Sequence, residues 1–251
     1  MRSALRLAAA WTLAAAPVAA QSLANRIAAV RDGTVRMQFT ARPGVCGDGR
    51  GSTWIRDGGN MVGSGDVRYA CVNGPVVVRL GRTDGQTISV RTSVGQRRAD
   101  NASDTDLGEV NGLEAARLLV QLAHTIGGTS ADQALSAAAF ADGVDVSPEF
   151  RDLVRDDNAS LESRRQALFW LGQGNLPSRE LTSLYETLKP FELREHFTFV
   201  LSQREDDLAL AKLMDIARND RDIELRKRAM FWLGQSKDPR ATKFLRDLIL
   251  R

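Results

Sequence analysis

Glu162-Ser163-Arg164-Arg165-Gln166-Ala167-Leu168-Phe169-Trp170-Leu171-Gly172-Gln173 returns 62 positions further on as Glu224-Leu225-Arg226-Lys227-Arg228-Ala229-Met230-Phe231-Trp232-Leu233-Gly234-Gln235, with eight of the twelve residues identical. A worn copy lies between them, Glu192-Leu193-Arg194 through Phe199, Leu201 and Gln203, so the spacings are 30 and 32 residues. A helical unit of that period cannot bury its apolar face alone, and its repetition predicts a stacked α-solenoid. Arrays of this kind present a surface more often than they enclose a catalytic pocket.

The signals around the copies fit helix pairs. Asp238 precedes Pro239, so Asp238 is placed to cap orphan amides and Pro239 to take the first helical position. Ser160 and Asp222 hold the equivalent capping position of the other helix type, with Glu162 and Glu224 in the first turn. Helical periodicity begins at Leu107, with amphipathic stretches at Leu113–Leu122, Ala131–Phe140 and Pro148–Val154. A helix over Pro239–Leu250 has apolar residues at Phe244, Leu245, Leu248, Ile249 and Leu250. Its polar side carries Arg240, Lys243, Arg246 and Asp247, and it is expected to cap the stack.

The run Leu225-Arg226, Ala229, Trp232-Leu233-Gly234, Asp238-Pro239-Arg240-Ala241, Phe244-Leu245 resembles the HEAT repeat. It is most similar to the short variety first associated with phycobilisome lyases. The resemblance covers residues 147–251 and weakens in the middle copy, where Phe197 replaces the small Ala167 or Ala229 and Ser202 replaces the glycine. It implies antiparallel helix pairs stacked into a right-handed superhelix. It leaves function open, because these repeats serve in scaffolds, adaptors, regulators and a few enzymes.

With Ala229 at the centre of its helix's buried face, Leu225, Trp232, Leu233 and Ser236 share that side. Phe231 falls almost opposite, and Phe169 and Phe199 hold the same position in the other copies. These three rings, flanked by Arg165 and Lys227, form a candidate stripe for binding a protein partner. Packing of the rings between successive units is the alternative. Arg164, Arg194 and Arg226 also recur, as do Gln173, Gln203 and Gln235, and stacked arginines most often bridge units through carboxylates or carbonyls.

Before the helices the period is two. Val35, Met37 and Phe39 alternate with polar residues, as do Val67, Tyr69 and Cys71, then Val76, Val78 and Leu80, then Ile88 and Val90. Asp84-Gly85 suits a hairpin turn. Arg36, Arg68, Arg79 and Arg91 take the polar phase, as a basic sheet face or a merely solvated one. A short helix over Leu23–Val30 precedes the first strand. Glycines crowd the segment between Gly44 and Gly65, which reads as long irregular loops. This half is expected to be a small antiparallel β domain over 21–95, joined by a polar linker over 96–106 to the helical array over 107–251.

Cys46 and Cys71 are the only cysteines, and an isolated pair in an exported chain reads as a disulfide. Two buried thiols or half of a metal site are the alternatives, but His124 and His196 are the only histidines and lie far from either cysteine in sequence. Export itself is read from residues 1–20. Arg2 and Arg6 precede a short apolar run from Ala8 to Ala16, Pro17 breaks it, and Val18-Ala19-Ala20 offers a cleavage site. Without that segment, 32 basic side chains face 31 acidic ones, which gives no argument for nucleic acid. Only five basic residues are lysine, a bias typical of GC-rich genomes. No later stretch is long and apolar enough for an integral membrane segment. No nucleophile elbow, phosphate-binding loop or metal-spaced cluster appears, and no cofactor or metal is implied. The glycine loop Gly47-Asp48-Gly49-Arg50-Gly51 is a candidate anion cradle or a plain turn. The reading is therefore an exported, periplasmic or secreted, non-catalytic interaction module. The alternative is an envelope hydrolase with its site where the β domain meets the helices.

Overall fold

A computed structural model of the chain describes residues 21–57, 60–64, 71–95 and 103–250. The leader, the strand expected around Val67 and Tyr69, and Arg68 lie outside the described residues, as do residues 96–102 of the expected linker.

A four-stranded sheet is built from β1 (Gly33–Phe39), β5 (Val76–Thr83), β6 (Gln86–Val94) and β7 (Thr105–Glu109), in the order β6-β5-β1-β7. Registers align its faces. Val35, Leu80 and Val90 make one apolar row, and Phe39, Val76 and Val94 another. The opposite face carries Arg36, Arg79 and Arg91 side by side. β5 and β6 are joined through Asp84 and Gly85, at φ 51° and 77°, the left-handed pair that suits a two-residue hairpin. Ile88 has the phase of Val90 yet is 61% exposed, at the point where the register shifts opposite Gly81 and Arg82.

Two expectations for this half are corrected. The sheet is mixed, since β7 runs parallel to β1 and lies across the boundary expected between linker and helices. The glycine-rich segment is not irregular: β2 (Val45–Gly47), β3 (Thr53–Asp57) and β4 (Asn60–Ser64) form an antiparallel sheet in that order. Few apolar residues mark these short strands, so no alternation betrays them. Cys46 is disulfide-bonded to Cys71, and Val72 pairs with Gly47 on the other edge of β2.

Among the described residues there are ten helices: α1 (Leu23–Ala28), α2 (Gly112–Thr125), α3 (Gly128–Ala139), α4 (Ser147–Arg155), α5 (Leu161–Gln173), α6 (Ser178–Ser183), α7 (Phe191–Ser202), α8 (Asp207–Asn219), α9 (Ile223–Gln235) and α10 (Pro239–Ile249). A 3-10 turn follows α6. The caps are those the sequence marks. Ser160 accepts from the Ser163 amide, Asp222 from Glu224, and Asp238 from Arg240 with Pro239 at the first helical position.

The helices pack in two rows. One runs α3, α5, α7, α9, each touching the next; in the other α2 touches α4, α6 touches α8 and α8 touches α10. The first row continues into the sheet, because α3 lies on β6. Ala131, Ala134, Ala137 and Ala138 bring α3 close. β6 is an edge strand whose exposed amides would otherwise seek partners. Ser130 Oγ accepts from the Val90 amide at 3.2 Å and Gln133 Oε1 from the Thr92 amide at 2.9 Å. Arg42 N donates to the Phe140 carbonyl at 2.8 Å, and Leu23 N to Glu114 at 2.6 Å. Apolar burial is unbroken from Leu23 to Phe244, so the two halves share one core.

Candidate interaction surface

The repeated aromatics lie on α5, α7 and α9 of the first row, and the structure brings them into a chain of ring contacts. Phe140, at the end of α3, meets Trp170 edge-on at 5.4 Å between centroids. Trp170 meets Phe169 at 5.0 Å. Phe169 stacks parallel to Phe199 at 6.4 Å, across α5 and α7. Phe199 meets Trp232 at 5.2 Å, and Trp232 meets Phe231 at 5.0 Å on α9. Each such contact contributes about 0.5–1.5 kcal/mol beyond area burial. The packing alternative therefore describes two of the three rings. Phe169 and Phe199 are half-buried against their neighbours, whereas Phe231 is 51% exposed. Trp170 is buried, but its equivalent Trp232 is only half-buried.

Arg165 and Lys227 flank the rings without joining in one site. Arg165 lies 3.7 Å from Glu162, one turn back on its own helix, and Lys227 2.7 Å from Glu224 in the same way. Between units, Arg228 pairs with Glu195 at 2.6 Å. His196 packs on Phe199 at 5.6 Å, and its Nε2 is buried without a hydrogen-bond partner among the described residues. Burial and then the Arg165 charge push its pKa down to about 4, against a hydrogen bond to the Arg165 backbone. His196 is thus a neutral ring under the stripe, a role its sequence position does not announce. A second apolar line also escapes sequence reading. Leu161, Phe191 and Ile223 are the first residues of α5, α7 and α9, and all three are exposed. Their spacing is that of the phenylalanines, the one signal by which they are found.

The repeated arginines bind helix ends. Arg164 Nε donates to the Val154 carbonyl at 2.9 Å and its guanidinium pairs with Asp157 at 3.0 Å. Arg194 reaches Asp220 at 2.5 Å, and Arg226 donates to the Asp220 carbonyl at 2.8 Å. These bonds satisfy the ends of α4 and α8, where carbonyls lack helical partners. The repeated glutamines stay near solvent: Gln173 lines a cleft at the sheet, and Gln203 and Gln235 line a cleft of about 540 Å³ with Trp232 and Lys237.

Where the sheet meets the helices, two adjoining clefts share Arg42, Ala139, Val144, Asp145 and Asn175. Asp145 there has its pKa lowered by the Ser147 backbone amide and side chain, which makes it an ionised cap rather than a proton donor. The Gly47–Gly51 loop is no anion cradle. The Asp48 carboxylate accepts from the amides of Arg50, Gly51 and Ser52 at 2.7, 3.1 and 3.1 Å, and the Gly49 amide donates to Val94. Among the described residues no cluster of His, Cys, Asp or Glu is arranged to hold a metal, and no helix is long and apolar enough to cross a membrane. Comparison with protein families, characterised proteins and solved structures gives no match.

Proposed function

We propose that the chain is an exported protein whose helical part is a short HEAT-type solenoid, and that its aromatic ladder docks a protein partner without catalysis. The observation that carries this reading is the graded exposure of equivalent rings, from half-buried Phe169 and Phe199 to exposed Phe231, on rigidly packed helices. Aromatic side chains fixed by neighbours lose little freedom on binding and are the usual anchors of protein interfaces. The two rows of helices and the recurring Arg-to-carbonyl bonds support the solenoid assignment. The disulfide supports an oxidising compartment. The hydrolase alternative draws its support from the junction clefts alone, and the downward-shifted Asp145 offers it no general acid.

The test is affinity capture from the native envelope fraction with the parent protein, Phe231→Glu and Ile88→Glu. A partner recovered by the parent and Ile88→Glu but lost with Phe231→Glu fits the proposal. Capture unchanged by Phe231→Glu removes it.

A further inference from the structure

The outer face of the four-stranded sheet places three guanidinium groups in one cross-strand row. Arg36 on β1 is opposite Arg79 on β5, and Arg79 is opposite Arg91 on β6. Like charges directly opposite one another destabilise a strand pair. Two acids offset part of this. Asp106, Arg36's neighbour on β7, bonds it at 2.9 Å, and Asp104 bonds Arg79 at 2.9 Å with both side chains nearly buried. Arg91 has no such counterpart: its guanidinium makes no hydrogen bond or ion pair with any described residue.

A polar cavity of about 320 Å³ opens over this part of the sheet. Arg79 and Arg91 line it from the strands, and Arg50 faces it from the loop after β2. The Asp48 carboxylate fixes that loop by binding the Arg50, Gly51 and Ser52 amides, while the Arg50 side chain itself is left without a partner among the described residues. Thr34 and Ser89, in the next cross-strand row, add hydroxyl groups to the lining. Ser89 lies against Gly81, where any side chain would collide with its Oγ. Among the described residues three arginines and one aspartate, Asp104, line a space at the small end of ligand-binding sites.

We propose that this cavity binds a tetrahedral oxyanion, a phosphate or sulfate group, free or carried by a small solute. Arginine forks donate paired hydrogen bonds to such oxygens. Donors converging from the sheet and from the loop suit a tetrahedral group better than a planar carboxylate. Arg50 and Arg91 supply the uncompensated charge, and Arg79, held by Asp104, is the fixed floor. The bound anion offsets the Arg50 and Arg91 charges, and occupancy stabilises the fold by mass action.

The test compares the melting temperature and calorimetric binding of the parent, Arg91→Gln and Arg50→Gln in phosphate, sulfate, glycerol 3-phosphate, acetate and chloride at matched ionic strength. The parent is expected to be stabilised by the tetrahedral anions over acetate and chloride. Both variants are expected to weaken binding at least tenfold. Tighter binding of glycerol 3-phosphate than of inorganic phosphate assigns an esterified group, and the reverse assigns a free anion. The site is overturned if tetrahedral anions act no differently from chloride, if acetate serves as well, or if neither variant changes the response. Because both positions lie on the surface of the sheet region, these outcomes are independent of the helical interaction surface.

Discussion

The Tyr185 hydroxyl donates a 2.6 Å hydrogen bond to the Asp220 carboxylate, joining segments 35 residues apart. Asp220 is nearly buried, pairs with Arg194, and accepts from the Asp222 amide, while its carbonyl takes Arg226. One aspartate thus gathers four bonds where α8 gives way to α9. Tyr185→Phe should cost about 1–2 kcal/mol, the loss of a hydrogen bond to a charged group. Asp220→Ala should cost about 3–5 kcal/mol, because it strands a partly buried cation. Urea denaturation measures both, and equal costs would contradict the central place given to Asp220.

Two equivalent glycines should respond oppositely to alanine. A Cβ on Gly172 would meet Val200 Cγ1 at 2.4 Å, whereas one on Gly234 meets nothing within 4 Å. Alanine favours a helix interior over glycine by roughly 1 kcal/mol, so Gly234→Ala should stabilise. Gly172→Ala should destabilise, since a β-branched valine has no free rotamer to yield. Thermal melts of the two variants decide; shifts of the same sign would refute the packing between α5 and α7.

His196 should make the protein acid-sensitive. Its folded pKa is about 4, below the ordinary 6.5. The unfolded chain therefore binds the proton first, and the stability held above about pH 6.5 declines as pH falls toward 4. The ceiling is on the order of 3 kcal/mol for such a shift, less after solvent screening. Denaturation at pH 7 and pH 4.5 should show a smaller difference for His196→Gln than for the parent. An identical difference would assign the acid sensitivity elsewhere.

Trp170→Ala should cost about 3–5 kcal/mol as a buried aromatic. Trp232→Ala should cost about half as much, because only part of its ring is covered. Chemical denaturation distinguishes them, and a larger loss at Trp232 would reverse the burial order described.

Opening the Cys46–Cys71 bridge by Cys46→Ser with Cys71→Ser should cost about 3 kcal/mol, the entropy of closing a loop of this order. Denaturation curves of the double variant, with and without reductant, check this. No change relative to the parent would show that pairing of β2, β3 and β4 suffices alone.

The repeating unit was legible because its signals agree. Ser160, Asp222 and Asp238 cap where the periodicity starts, and Leu225, Ala229 and Leu233 are buried as their spacing demands. The sheet's inner face was legible from Val35, Met37 and Phe39 for the same reason. Three things were not. β7 carries Leu107 as its one large apolar residue, so its pairing with β1 rests on backbone bonds and on Asp106 meeting Arg36. The strands β2 to β4 are too short for a period. The ring-to-ring chain through Trp170 and Trp232 depends on how α5, α7 and α9 nest, which no single helix encodes. Of the candidate surface, the phenylalanine positions could be found by repetition, while Arg165 and Lys227 pair with glutamates one turn back on their own helices.

The bonds that Ser130 and Gln133 make to the edge of β6 give the helical stack a direction. With the Val90 and Thr92 amides taken by α3, this edge of the sheet is where the row of helices begins. Change in length by duplication or loss of pairs is then expected farther along, and the eight residues in twelve shared by α5 and α9 fit such a duplication. Longer or shorter relatives should keep the sheet, α3 and its serine and glutamine clasp as a fixed foundation, and differ in how many helix pairs are built upon it.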